Sequence, residues 1–215
     1  MTLNADGGII GSASIVATFD NAMPTGVSAS TRTGYEFQGY YTGKNGTGTK
    51  YFNKDMTSAI TWNIAYSTTL YAHWTPKEYR VVFNKQNGTG GTDSVTVKYN
   101  ESMPYATAPT RTGYDFGGYW TGSNGTGTQY YSSTMSSVKN WHISYDTVLY
   151  AYWIVQTYQV AIQYSILYAD SEVTVPAKTF YTVEWDKGFT FTAPETYYDE
   201  ASKGTYTFRS YSTLR

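Results

Sequence analysis

A chain of 215 residues has room for one large domain or two to three small ones. Its net charge is -1 with both signs scattered, so it lacks the concentrated basic face that nucleic acid or an anionic membrane selects. It has no cysteine, which excludes disulfides, thiolate metal sites and a cysteine nucleophile, and no apolar run long enough to span a bilayer. Charged residues make up only 14% while 24 residues are Tyr, so Tyr, Thr, Ser, Asn and Gly must cover much of the surface. Tyr and Thr suit a pleated, half-buried sheet, and the composition leans to β structure.

Along the chain, one unit recurs. Leu3-Asn4 falls on Phe83-Asn84, Ile15 to Phe19 on Val95 to Tyr99, and Met23-Pro24 on Met103-Pro104. Thr31-Arg32-Thr33-Gly34-Tyr35 then falls on Thr110-Arg111-Thr112-Gly113-Tyr114, Asn45-Gly46-Thr47 on Asn124-Gly125-Thr126, and Trp62 on Trp141. Leu70-Tyr71-Ala72-His73-Trp74 closes the first unit as Leu149-Tyr150-Ala151-Tyr152-Trp153 closes the second. Such self-similarity marks an array of one folded unit. The expected modules are 1–75, with a shortened first strand, 76–154, and a divergent or truncated third at 155–215.

Within a unit, short strands alternate with turn signals. Tyr79 to Phe83 and Val95 to Tyr99 show a period of two, with Val95, Val97 and Tyr99 on one face. The next strand, read in strict alternation, places Tyr114, Phe116, Gly118 and Trp120 on one face and Asp115, Gly117 and Tyr119 on the other. Asn124-Gly125 turns the chain into Gln129 to Tyr131 as a hairpin. Residues 132–141 lack alternation and have room for a turn of helix, and Val148 to Trp153 turns Leu149, Ala151 and Trp153 inward. Four-residue joints, Thr75 to Glu78 and Ile154 to Thr157, imply a semi-rigid string of monomeric modules. The third unit starts in step at Tyr158, and Thr182 to Trp185 echoes Thr96 to Tyr99. Ala193-Pro194 echoes Ala108-Pro109, an insertion spans Tyr197 to Lys203, and a worn echo of the central motif runs from Tyr206 to Tyr211. Both ends read as cuts within a longer protein.

The strand, the Asn/Gly turn, Pro-Thr-Arg-Thr-Gly-Tyr-x-Phe-x-Gly-Tyr and the closing Leu-Tyr-Ala-x-Trp together resemble the Listeria–Bacteroides repeat, the internalin B-repeat family of bacterial surface proteins. The likeness covers residues 1 to about 153. It implies a compact β-grasp-like module, mainly β to α+β, strung in tandem on secreted or wall-attached proteins. Where the family commonly has Trp this chain has Tyr40 and Tyr119, and where it has Lys this chain has His73 and Tyr152.

Catalytic chemistry finds no repeated residues. His73 aligns with Tyr152 and His142 with Asn63, so His73 reads as an edge-strand residue and His142 as a surface or packing one. The pair Asp199-Glu200 occurs in one unit and reads as a solvated loop. Asn45, Asn87 and Asn124 head glycosylation-type triplets, but Asn-Gly is also a strong hairpin signal, and the turn reading is taken. These loops lack the acidic residues a calcium site requires. A Lys–Asn cross-link finds no repeated inward lysine, and Lys98 alternates outward. No catalytic residue, cofactor or metal is expected.

The aromatics divide in two. Tyr35, Phe37 and Trp74, with Tyr114, Phe116 and Trp153, read as core, since a unit this small needs large side chains to offset chain entropy. Tyr40, Tyr71, Tyr119, Tyr150 and Tyr152 read as an outward face, able to stack on sugar rings or form a protein-binding patch. The expected function is a non-catalytic spacer or adhesive array on a bacterial surface, meeting a surface protein or a glycan. The alternative is a carbohydrate-binding module using the outward tyrosines.

Overall fold

The computed structural model describes residues 1–162 and 177–192 in full, and 196–199 and 204–207 as strand pairings. The echo from Tyr206 to Tyr211, the insertion at Tyr197 to Lys203, Ala193-Pro194 and the Asp199-Glu200 loop lie wholly or partly outside the described residues.

The first repeat carries β1 (Thr2–Asn4), β2 (Tyr35–Tyr41), β3 (Lys50–Phe52) and β4 (Thr69–Pro76), hydrogen-bonded in the order β1-β4-β2-β3. The second carries β5 (Glu78–Asn84), β6 (Ser94–Lys98), β7 (Tyr114–Trp120), β8 (Gln129–Tyr131) and β9 (Thr147–Val155), in the order β6-β5-β9-β7-β8. The two sheets share one plan. In each, the last strand lies parallel to the first, with Leu3 opposite Leu70 and Phe83 opposite Leu149, and antiparallel hairpins complete the sheet. β6 has no strand counterpart in the first repeat. It pairs with Glu78 to Val82, and the first repeat offers only Met1 and Thr2 opposite Ser14 and Ile15.

Among the described residues there is no α-helix. The stretch at 132–141, where sequence left room for a helical turn, instead makes turns tied by backbone bonds such as Val138 N–H to the Tyr130 carbonyl. The Asn-Gly sites are tight turns. Asn45 and Asn124 sit at φ 56° and 55° within one-turn 3-10 segments, and Asn87 at φ 67°. Asparagine tolerates that left-handed region better than most residues.

Each repeat has its own core. Leu3, Met23, Tyr40, Tyr51, Phe52, Trp62, Leu70 and Ala72 fill the first, and Val81, Phe83, Val97, Met103, Tyr119, Tyr130, Tyr131, Trp141, Leu149 and Ala151 stand in the second. The closing tryptophans seal the open end, Trp74 Nε1 donating to the Ala5 carbonyl at 2.8 Å and Trp153 Nε1 to that of Lys85 at 2.9 Å. Rings fill most of the volume. Phe37, Tyr40 and Trp74 meet edge to face, as do Phe116, Tyr119 and Trp153, an arrangement favoured by the ring quadrupole.

After β9 come β10 (Thr157–Ile162), β11 (Thr179–Glu184), β12 (Thr196–Asp199) and β13 (Gly204–Thr207), paired as two antiparallel hairpins. β10 pairs with β11 as β5 pairs with β6: Tyr79 faces Val97, and Tyr158 faces Val183. Two compact units result. One holds Met1–Thr110 with Phe116–Trp153, and the other holds Arg111–Asp115 with the chain from Ile154 onward.

Candidate binding surfaces

The outward face differs from its sequence reading at two positions. Tyr40 and Tyr119 are fully buried, each 0% exposed. Strict alternation fails because the ladder bulges: Phe37 pairs with Trp74 and Gly39 with His73, leaving Gln38 as an extra residue. A bulge reverses the facing of everything beyond it. Gly39 makes this possible at φ 126°, and Gly118 at φ 102° holds the same place in the second repeat. Phe116 and Tyr119 therefore both point inward, and Trp120 turns out. The signal was present in the sequence as Gly117-Gly118, adjacent glycines in mid-strand.

What remains outside is a different set. In the second repeat Trp120, Tyr150 and Tyr152 are half-buried, with Trp120 and Tyr152 edge to face at 6.4 Å. In the first repeat the equivalents are Tyr41, Tyr71 and His73, with Tyr41 directly opposite Tyr71. His73 lies on β4, between β1 and β2, so it is on an interior strand and not the edge expected for it. Its ring covers Gly46, as Tyr152 covers Gly125. The two faces also differ in charge. Lys44 and Lys50 reach over Tyr71 and Tyr41 at 5.7 and 5.6 Å, whereas Ser123 and Gln129 hold those places in the second repeat and leave its face neutral.

The buried pair Tyr40 and Tyr119 differs in one respect. Tyr40 Oη shares a hydrogen bond of 2.7 Å with Ser30 Oγ, itself buried. Pro109 stands where Ser30 would be, and the Tyr119 hydroxyl has no partner among the described residues. Burial pushes both phenols upward, Tyr119 further. Tyr40→Phe should therefore cost about 1–2 kcal/mol by orphaning Ser30, whereas Tyr119→Phe should be neutral or stabilising. Urea midpoints of the two variants check this, and equal losses would contradict it.

The two histidines sit in different surroundings, His73 against Gly46 and His142 against Tyr130. The exposed His142 shares a 2.8 Å hydrogen bond through Nδ1 with Tyr130 Oη, and Asn63 accepts from Tyr51 Oη at the equivalent place. Among the described residues no three His, Cys, Asp or Glu side chains are grouped to hold a metal.

A second surface forms where the repeats join. Tyr35 and Tyr114, expected in the core, belong to neither core cluster. Each lies under an arginine of its own turn, Arg32 at 3.9 Å and Arg111 at 3.8 Å from the ring centre. Between β4 and β5 only Lys77 intervenes. Its N–H donates to the Gly34 carbonyl and its carbonyl accepts from Tyr99, both at 2.9 Å. The Tyr99 ring lies flat on Gly34, where a Cβ would fall inside it, and meets Tyr35 edge to face at 5.5 Å. An open groove of about 420 Å³ runs beside this contact, lined by Gly7, Gly8, Arg32, Tyr35, Tyr99 and Asn100.

The second compact unit contains the same contact. Gln156 N–H donates to the Gly113 carbonyl at 2.9 Å, Trp185 N–H donates to the Gln156 carbonyl at 2.8 Å, and the Trp185 ring lies on Gly113. Gly34 and Gly113 take φ 79° and 78°, open to glycine and leaving one peptide face bare. Sequence comparison aligned these glycines and rings but did not reveal that they meet.

A family model described as the Listeria-Bacteroides repeat domain matches the chain twice, at residues 1–73 and 79–152. No curated protein and no solved structure matches it.

Proposed function

Since the chain belongs to the Listeria-Bacteroides repeat family, whose repeats are typical of bacterial surface proteins, we propose that it is a non-catalytic spacer, extracellular and monomeric, that holds the rest of its parent protein at a set reach. The junction carries this reading. A one-residue joint hydrogen-bonded on both sides, with a ring seated on the preceding repeat, resists the free hinging of a flexible linker. We read each repeat as β-grasp-like, on the parallel pairing of its first and last strands. The partner of such an array is a surface protein or glycan of a host or neighbouring cell.

Coupling is the testable property. The first two repeats should unfold in one thermal transition, and Tyr99→Ala should split it into two, because removing the ring leaves only the backbone bonds of Lys77. Two transitions in the unaltered chain would sink the spacer reading.

The neutral outer face of the second repeat favours a second reading, glycan binding by ring stacking on Trp120, Tyr150 and Tyr152. Selective retention on a glycan array, lost in a folded Trp120→Ala, Tyr150→Ala variant, is the result that reading expects. Tyr119 is no part of such a face.

A further inference from the structure

The ring that seats on the preceding repeat has a third counterpart. Phe19 aligns with Tyr99, and Trp185 aligns with both. The turn that presents each is the same: the following residue is left-handed in all three, Asp20 at φ 58°, Asn100 at φ 64° and Asp186 at φ 60°. In the first two the turn is clipped alike, Asp20 N–H donating to the Trp62 carbonyl at 2.8 Å and Asn100 N–H to that of Trp141 at 2.6 Å. Tyr99 and Trp185 each lie on a glycine of an Arg-Thr-Gly-Tyr loop. Phe19 lies on none and is 51% exposed.

We infer that Phe19 is a docking ring whose partner is the Arg-Thr-Gly-Tyr loop of another repeat of this family. The loop supplies what a flat ring needs: a bare peptide face at a left-handed glycine, and a tyrosine stiffened from behind by arginine, as Tyr35 is by Arg32. The loops at Gly34 and Gly113 already hold Tyr99 and Trp185, so within the described residues neither is free for Phe19. Phe19 is thus the inserting side of an interface whose receiving side, the loop, appears twice in this chain. The inference rests on the junction described above and deepens the spacer reading by naming what the first repeat binds.

The test extends the full chain. A second copy of residues 76–159 fused directly ahead of Met1 places the copy's Gln156 six residues before Leu3, as Lys77 stands six before Phe83. Amide exchange at Phe19 and Asp20 should slow at least tenfold in the extended chain. Phe19→Ala, neutral in the 215-residue chain because the ring is exposed, should abolish that gain. Gly113→Val in the copy alone should also abolish it, because the added side chain fills the seat. Unchanged exchange in the extended chain overturns the inference, and so does protection that survives both substitutions, since restored strand pairing alone would then explain it. Failure here leaves the spacer reading intact, because that reading stands or falls on Tyr99.

Discussion

Trp141→Ala should lower the stability of the second repeat by about 3–5 kcal/mol, the usual cost of removing a large buried ring. Trp141 is fully buried, lies 4.7 Å from the Tyr130 ring, and packs in a core where most of the volume is aromatic. Its backbone adds to the effect, since Trp141 N–H donates to the Glu101 carbonyl and its own carbonyl accepts from Asn100, pinning the turn that presents Tyr99. A cavity at Trp141 would loosen that turn and with it the junction. Its indole N–H has no partner among the described residues, so Trp141→Phe should cost much less than alanine. Chemical denaturation followed by far-ultraviolet circular dichroism measures both variants. Equal losses for phenylalanine and alanine would show that ring volume is not what Trp141 contributes.

The second large effect belongs to Gly118. At φ 102° an alanine carries backbone strain of about 1–3 kcal/mol, and its Cβ would collide with the Tyr131 carbonyl. Both penalties fall on the bulge that turns Tyr119 inward and Trp120 outward. Gly118→Ala should therefore reduce stability by more than Gly90→Ala, whose Cβ meets nothing although its φ of 67° is also left-handed. That comparison sets the collision, together with the larger strain at φ 102°, against a left-handed alanine that meets nothing. Urea unfolding of the two variants decides it, and similar midpoints would mean that the ladder absorbs the added methyl and that the bulge does not depend on Gly118.

Much of the architecture was legible because duplication supplied an internal control. The Asn45 and Asn124 turns, the inward Leu149 and Ala151, and the likeness of the Tyr158 strand to the Tyr79 strand all follow from alternation, turn chemistry and comparison between copies. The candidate face was legible only in part. Tyr71, Tyr150 and Tyr152 do face outward, but Tyr40 and Tyr119 do not, because a period of two carries across a strand only while the ladder stays regular. One extra residue at Gln38 reverses everything after it. Tyr35 and Tyr114 were misassigned for a different reason. An aromatic at a strand start is bland as a pattern, and what sets its role is the stacked arginine and, for Tyr35, a ring arriving from 64 positions downstream (Tyr99), a contact no local window contains.

The contact at Gly34 and Gly113 also bears on how such a chain can diverge. It asks for one glycine with a bare face, one flat ring and one peptide group between the repeats. Tyrosine and tryptophan both satisfy the ring, and lysine and glutamine both make the same backbone bonds at the joint, to which Gln156 adds a side-chain bond from Nε2 to Asp115 Oδ1 at 2.7 Å. The other contacts differ between the two junctions: Tyr35 meets the Tyr99 ring edge to face, whereas Tyr114 Oη donates to Asp186 Oδ2 at 3.1 Å. Sequence drift can then proceed independently in each repeat, so one outer face can gain lysines while the next stays neutral. The hairpin of Thr157–Ile162 and Thr179–Glu184 illustrates the point: it lies beyond the family match, which ends at residue 152, yet keeps the ring and the joint.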